Sequence, residues 1–278
     1  MNWLHKSGVM SGILLSIAAT TFLASEKAIS VEVADTRAVE LLNQGKTRAR
    51  QGDLQGAIAA YTQAIAANPR YTQAYIERGL AHHDLGDFRQ AIADFEQAVK
   101  LDPDSARAIY NRGEAKADIG DLSSALTDMT QAIRLNANYA EAYNNRGVIQ
   151  AQMGNLQAAI SDLDRAVQAK PNYADAYYNR GKAKMALGDA TGAISDFTLA
   201  IQLNSNLPDA YGNRGILYAK TGNQQAALQD LQTAARLFQQ AGDRDSYSLT
   251  LGYIQQIQQA PNRTKESVNE NIYPNRSN

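Results

Sequence analysis

The chain has 278 residues, 44% hydrophobic and 20% charged, with 27 Lys+Arg against 28 Asp+Glu for a net charge of −1. This balance excludes a typical disordered polymer and a multi-span membrane protein, and it supplies no global basic field for binding nucleic acid. The absence of cysteine excludes disulfides, thiolate metal sites, cysteine nucleophiles and a lipidated cysteine anchor.

In chain order, the first element is a targeting segment. Lys6 precedes an uncharged run from Gly8 to Ala24, 17 residues long, and Ala28-Ile29-Ser30 forms a small-residue cleavage pattern that leaves Val31 as a new N-terminus. Residues 1–30 are therefore expected to be a signal peptide or an uncleaved N-terminal membrane anchor. Either places the remainder outside the cytoplasm, in the periplasm or an equivalent lumen. A linker follows over 31–37.

From Ala38 the sequence repeats every 34 residues, with units 38–71, 72–105, 106–139, 140–173, 174–207 and 208–241 and no insertion between them. Position 8 of each unit is glycine (Gly45, Gly79, Gly113, Gly147, Gly181, Gly215), as is position 15 (Gly52, Gly86, Gly120, Gly154, Gly188, Gly222). Positions 20 and 27 are alanine throughout. A helix-interior glycine costs about 0.5–1 kcal/mol relative to alanine, so a full column of them implies close approach of a second helix. The glycine at 15 falls where a first helix, A, must end in a left-handed turn. The Asp or Asn that follows it caps a second helix, B. Pro69, Pro103 and Pro171 then stop helix B.

Period and columns together resemble the tetratricopeptide repeat (TPR) family, and the Asn-Arg-Gly run ending at position 8 resembles bacterial members. The resemblance implies an all-α fold, a right-handed TPR superhelix (α-solenoid) of six helical hairpins whose inner wall is lined by the A helices. Polar residues at most eleventh positions depart from the family pattern and are expected to thin the packing. Beyond the last unit, a capping helix is expected within 242–260, from Ser246 to Ala260, burying Tyr247, Leu251, Ile254 and Ile257. A disordered tail over 261–278 follows.

Two columns carry charge. Position 7 is Arg78, Arg112, Arg146, Arg180 and Arg214 in units two to six, and position 23 is Asp94, Asp128, Asp162, Asp196 and Asp230 in the same units. Unit one lacks both, with Gln44 and Ala60 instead. In a hairpin folded about position 15–16 these depths stand level, which predicts one structural ion pair per unit. A positive stripe for acidic ligands is the competing reading.

Position 6 is Asn111, Asn145, Asn179 and Asn213 in four consecutive units. By resemblance to the TPR region of O-linked N-acetylglucosamine transferase, this row is expected to bracket the backbone of an extended peptide. Solvated helix-face asparagine is the alternative. Tyr110 and Tyr178 at position 5 and Lys182 at position 9 complete the expected peptide groove, among mixed charges that include Glu114, Glu141, Asp175 and Asp209. No window supplies the lysine and arginine set of a chaperone carboxylate clamp.

His5, His82 and His83 are the only histidines, and the adjacent pair points about 100° apart on a helix, unsuited to one metal ion. No nucleophile elbow or phosphate loop is present. The sequence thus predicts no enzyme, no cofactor, no metal and no nucleic-acid partner, with membrane contact only through the N-terminal segment. The function it predicts is a protein-protein interaction scaffold that binds a peptide or protein segment in its groove and assists assembly of an envelope or membrane complex. A self-associating structural protein and an accessory subunit of an enzyme complex remain as alternatives.

Overall fold

A computed structural model describes residues 33–259. The signal segment, the first two linker residues and the tail beyond 260 lie outside the described residues. Thirteen helices and no strand make up the described chain: α1 over 33–50, α2 Leu54–Ala67, α3 Thr72–Asp84, α4 Phe88–Leu101, α5 Ala106–Asp118, α6 Leu122–Leu135, α7 Ala140–Gln152, α8 Leu156–Ala169, α9 Ala174–Ala186, α10 Ala190–Leu203, α11 Pro208–Lys220, α12 Gln224–Gln240 and α13 Arg244–Gln259. The fold is all-α, a helical-repeat solenoid with odd-numbered helices in the A role and even-numbered ones in the B role. The helices form two compact units, one ending at Ala108 and the other beginning at Ile109.

In the first unit, Leu41 and Leu42 of α1, Ala57, Tyr61 and Ala64 of α2, and Ala74 and Ala81 of α3 form the core. Residues 33–37, read above as linker, are the first turns of α1. No glycine or proline interrupts that stretch, and Asn68 Nδ2 at the end of α2 donates to Asp35 Oδ1 at 2.6 Å, holding the extension in place.

In the second unit each hairpin packs on the next. Phe197, Ile201, Ala210 and Leu217 form one buried cluster joining α10 to α11. The position-8 glycines lie directly against the B helix of their own hairpin. A Cβ added at Gly147 would stand 2.9 Å from Leu163 Cγ and 3.1 Å from the Ala159 carbonyl oxygen, and one at Gly181 would meet the Phe197 ring at 2.8 Å. The side chain at position 24 thus occupies the space that each glycine leaves, joined at Gly113, Gly147 and Gly215 by the carbonyl at position 20. The position-15 glycines have φ of 79–87°, the left-handed region, and end each A helix. Asp53, Asp121, Asp189 and Asn223 then accept from a backbone N–H three residues on, whereas Asp87 and Asn155 sit at the N-cap without that side-chain bond.

Helices α6 and α10 stop without the proline found elsewhere. Asn136 Oδ1 accepts from Asn138 N at 3.1 Å and Asn204 Oδ1 from Asn206 N at 3.0 Å, the same asparagine turn that Asn68 makes with Arg70 N around Pro69.

The last B helix, α12, runs 17 residues to Gln240. It ends at Gly242, φ 73°, and Asp243 accepts from Ser246 N, so the Gly-Asp turn of the repeats recurs and α13 begins at Arg244 rather than Ser246. Its inward stripe is Ser246, Thr250, Tyr253, Ile254 and Ile257, the last three packed on Ile216 and Leu231. Leu251, expected in that stripe, is exposed, and Thr250 one residue before it takes the interior place.

Candidate functional site

Two side-chain systems run along the repeats. The first joins A and B helices within the second to sixth hairpins. Arg78 Nε and Nη2 donate to Asp94 Oδ2 and Oδ1 at 2.9 and 2.6 Å, and the same two-pronged contact joins Arg112 to Asp128, Arg146 to Asp162, Arg180 to Asp196, and Arg214 to Asp230. The aspartates are buried, Asp196 at 1% exposure. Their hydrogen bonds hold the Arg78 and Arg146 guanidinium groups above their ordinary pKa despite burial. At Arg180 and Arg214 burial works against the charge, yet the carboxylates outweigh it and the pKa is again raised.

Two partners of this system were not legible column by column. Lys116 and Lys184, at position 11, fold onto Asp128 and Asp196 at 2.8 Å. Their polarity therefore adds an ionic contact rather than thinning the packing. The third guanidinium nitrogen reaches back to position 25 of the preceding unit: Arg78 to Thr62, Arg146 to Thr130, Arg180 to Asp164 and Arg214 to Thr198, at 2.7–3.2 Å. The signal was present, since position 25 carries an oxygen in every unit: Thr62, Glu96, Thr130, Asp164, Thr198 and Gln232. Arg78, Arg146, Arg180 and Arg214 thus engage all three guanidinium nitrogens and Arg112 engages two, so the column is a ladder within and between hairpins, not a stripe of free cations.

The second system crosses successive A helices of the second unit. Asn179 Nδ2 on α9 donates to Asn144 Oδ1 on α7 at 3.0 Å, and Asn144 Nδ2 donates to its neighbour Asn145 Oδ1 at 3.0 Å. Asn145 Nδ2 donates to the Tyr110 hydroxyl at 2.9 Å and to Glu114 Oε1 at 3.3 Å, both on α5, while the Tyr110 hydroxyl itself donates to Glu114 Oε1 at 3.0 Å. The chain of donors thus ends on one carboxylate.

This geometry corrects the expected asparagine row. Position 6 packs on position 5 of the preceding A helix, so its carboxamide lies in the seam between helices and not on an open face. Asn111 and Asn213 are buried, at 6% and 3% exposure, and Asn111 Nδ2 has no hydrogen-bond partner among the described residues. Asn145 has both its amide hydrogens and a lone pair engaged, which leaves no donor for a peptide. Asn179 is half-buried with one hydrogen committed.

Aromatic side chains surround the chain's end. The rings of Tyr110 and Tyr139 lie 4.9 Å apart. Tyr173 is close by: burial pushes its hydroxyl pKa up, and the negative charges of Asp175, Glu141 and Glu114 push it further. Burial and Glu114 do the same to Tyr110. Lys170 Nζ sits over the Tyr173 ring at 4.7 Å and pairs with Glu141 at 2.8 Å. Tyr178 packs against Phe197 and holds Lys182 Nζ over its ring at 5.4 Å. Burial lowers the Lys182 pKa against the opposing pull of Asp209. Position 34, the origin of Tyr139 and Tyr173, was not singled out by sequence reasoning although tyrosine recurs there also at Tyr71.

His82 and His83 face different neighbours, Nδ1 of the first lying 3.8 Å from Asp87 and the ring of the second 5.2 Å from Phe88. Among the described residues, no three His, Asp or Glu side chains cluster at metal-binding distance.

Tetratricopeptide repeat models match residues 42–174 in overlapping pieces and then 174–207 and 208–240. The chain belongs to the tetratricopeptide repeat family. Among solved structures it is similar to MamA, at 29% identity over 61% of this chain and 93% of that one, with a TM-score of 0.54. YrrB, described as a TPR protein with an unusual peptide-binding site, superposes with a TM-score of 0.55 at 23% identity over 70% of this chain and 98% of its own. PilW, a type IV pilus biogenesis factor, gives 0.68 at 21% identity over 77% and 98%. These last two establish likeness of fold. No protein of curated function shows significant sequence similarity to the chain. TPR membership fits a protein-interaction role.

Proposed function

We propose that this TPR protein is a non-catalytic scaffold that holds a peptide or protein segment along the A-helix face of α5, α7 and α9. The observation that carries the reading is the hydrogen-bond chain from Asn179 through Asn144 and Asn145 to Tyr110 and Glu114. It crosses three consecutive repeats, locks side chains that would otherwise be mobile, and so lowers the ordering cost of binding an extended segment across them. Tyr110 and Tyr178 are the anchors. Asn145 positions the Tyr110 anchor, and the asparagines do not touch the ligand backbone as a row.

Residues 1–30, with their uncharged run and small-residue cleavage pattern, support an exported or membrane-tethered location, and with it a role in assembling an envelope or membrane complex. None of the described helices is long and apolar enough to cross a membrane. N-terminal sequencing of the mature chain tests the location: a start at Val31 is expected for a cleaved signal, and an intact Met1 in the cytoplasmic fraction overturns it.

Groove binding is tested by retention of mixed peptides of about ten residues on the full-length chain. Replacing Tyr178 and Asn179 together by alanine is expected to lower retention about tenfold, the effect of losing roughly 1.4 kcal/mol at an anchor. Replacing Gln157, exposed on α8, leaves it unchanged. Equal retention by both variants would overturn the reading.

A further inference from the structure

Three carboxylate and tyrosine stations recur along the A-helix face of the second unit. At the first, Glu141 and the Tyr173 ring hold the Lys170 ammonium between them, at 2.8 Å from the carboxylate and 4.7 Å from the ring centroid. At the next, Lys182 lies over the Tyr178 ring, where burial lowers its pKa and the negative charge of Asp209 opposes that shift. The third pairs Glu114 with Tyr110. Its carboxylate is half-buried and firmly oriented, but its donors, the Tyr110 hydroxyl and the Asn145 carboxamide, are both neutral, and among the described residues no lysine or arginine pairs with it. A carboxylate withdrawn from water and met only by neutral donors keeps its charge uncompensated, and a cation brought to it gains more than one brought to an exposed acid. The surrounding rings of Tyr110, Tyr139 and Tyr173 add the electron-rich faces that attract such a cation.

We propose that the partner segment held by this face is basic, and that one of its lysine or arginine side chains completes the Glu114–Tyr110 station as Lys170 and Lys182 complete theirs. The proposal rests on the groove reading above and specifies its ligand. The negative charges of Glu141 and Asp175 near Tyr173 extend the same preference along the face. Lys170 shares Glu141 at the rim, where both side chains are about two-fifths exposed, 43% and 38%, so that pair can exchange for an incoming cation at little cost.

The test uses the full-length chain and a positional-scanning library of peptides of about ten residues, each pool carrying one fixed residue in an otherwise mixed sequence. Pools with Lys or Arg fixed at one place are expected to be retained about tenfold above pools with Leu or Glu there. Raising the salt from about 20 mM to about 500 mM is expected to reduce that ratio severalfold. Glu114→Gln keeps an acceptor for Tyr110 and Asn145 while removing the charge, and should bring the ratio within about twofold of unity. Tyr110→Phe, which keeps the ring but removes the hydroxyl that orients Glu114, should lower it less. Thermal melts of both variants establish that they fold, and the salt series reads the same charge without any substitution. Retention of peptides with no basic preference, or a preference that survives in Glu114→Gln, would overturn the assignment while leaving the scaffold reading intact. Retention of no pool at all would overturn both.

Discussion

Replacing Asp196 by alanine removes the centre of one rung of the ion-pair ladder. The carboxylate is 1% exposed and receives Arg180 Nε at 2.9 Å, Arg180 Nη2 at 2.6 Å and Lys184 Nζ at 2.8 Å. The variant leaves two cations in place whose side chains are only 14% and 21% exposed. Breaking one side of a buried pair costs about 3–5 kcal/mol, chiefly through the uncompensated charge that remains. Arg180 keeps its contact to Asp164, but that acid is 56% exposed, and such a contact offsets only about 0–1 kcal/mol. The net expectation is therefore a loss of at least about 2 kcal/mol, read from urea unfolding by circular dichroism. Because repeats couple mainly to their neighbours, amide exchange should accelerate most in α9 and α10. Replacing the whole rung by apolar residues, Arg180→Met with Lys184→Met and Asp196→Leu, should recover most of the loss, since the cost lies in the stranded charge and not in the missing attraction. A loss below about 1 kcal/mol in Asp196→Ala alone would refute the reasoning and class these pairs with surface ion pairs.

Gly147→Ala should destabilise by about 1–3 kcal/mol despite the higher helix propensity of alanine, because the new methyl meets Leu163 and the Ala159 carbonyl; a gain in urea midpoint would show that the hairpin can open. Gly154→Ala, with φ 83° and open space around it, should cost only the left-handed backbone penalty of about 1–2 kcal/mol, which the same assay checks. The Lys170 hydrogen bond, opposed in part by burial, holds the Glu141 carboxyl below its ordinary pKa, so its contribution is present above the unfolded value of about 4.3 and is lost as the pH falls through the lower folded value. Lys170→Met should flatten that part of the stability-versus-pH curve by about 0.2–1 kcal/mol, the range for a partly exposed pair. Charging the inward stripe of α13 by Ile257→Asp should uncover Ile216 and Leu231, lower the urea midpoint and promote association detectable by light scattering.

Much of the architecture is legible in single columns because a repeat protein states each local requirement six times. The pure glycine column at position 15 and the acid or asparagine after it specify a left-handed turn and a cap from backbone geometry alone, with no knowledge of neighbours. The arginine and aspartate columns align by hairpin arithmetic, since residues equidistant from a turn stand level, and the structure brings those side chains together. The same arithmetic applied at Gly242-Asp243 would have located the start of α13, but that pair lies outside the 34-residue frame, which hid it.

What the sequence by itself determined is the hairpin: its length, its turns, its charged rung and the small residues that let two helices touch. These depend on contacts at fixed sequence separation. Only the tertiary structure decided what lies between hairpins, because the seam depends on how far each A helix is rotated against the next, a quantity that no periodicity carries. That rotation turns position 6 inward, buries Asn111 and Asn213, and spends the hydrogens of Asn145 on Tyr110 and Glu114. The same packing sets Glu114, one acid among several in a mixed-charge wall, at the end of a donor chain and among tyrosine rings, where its charge is oriented by neutral groups.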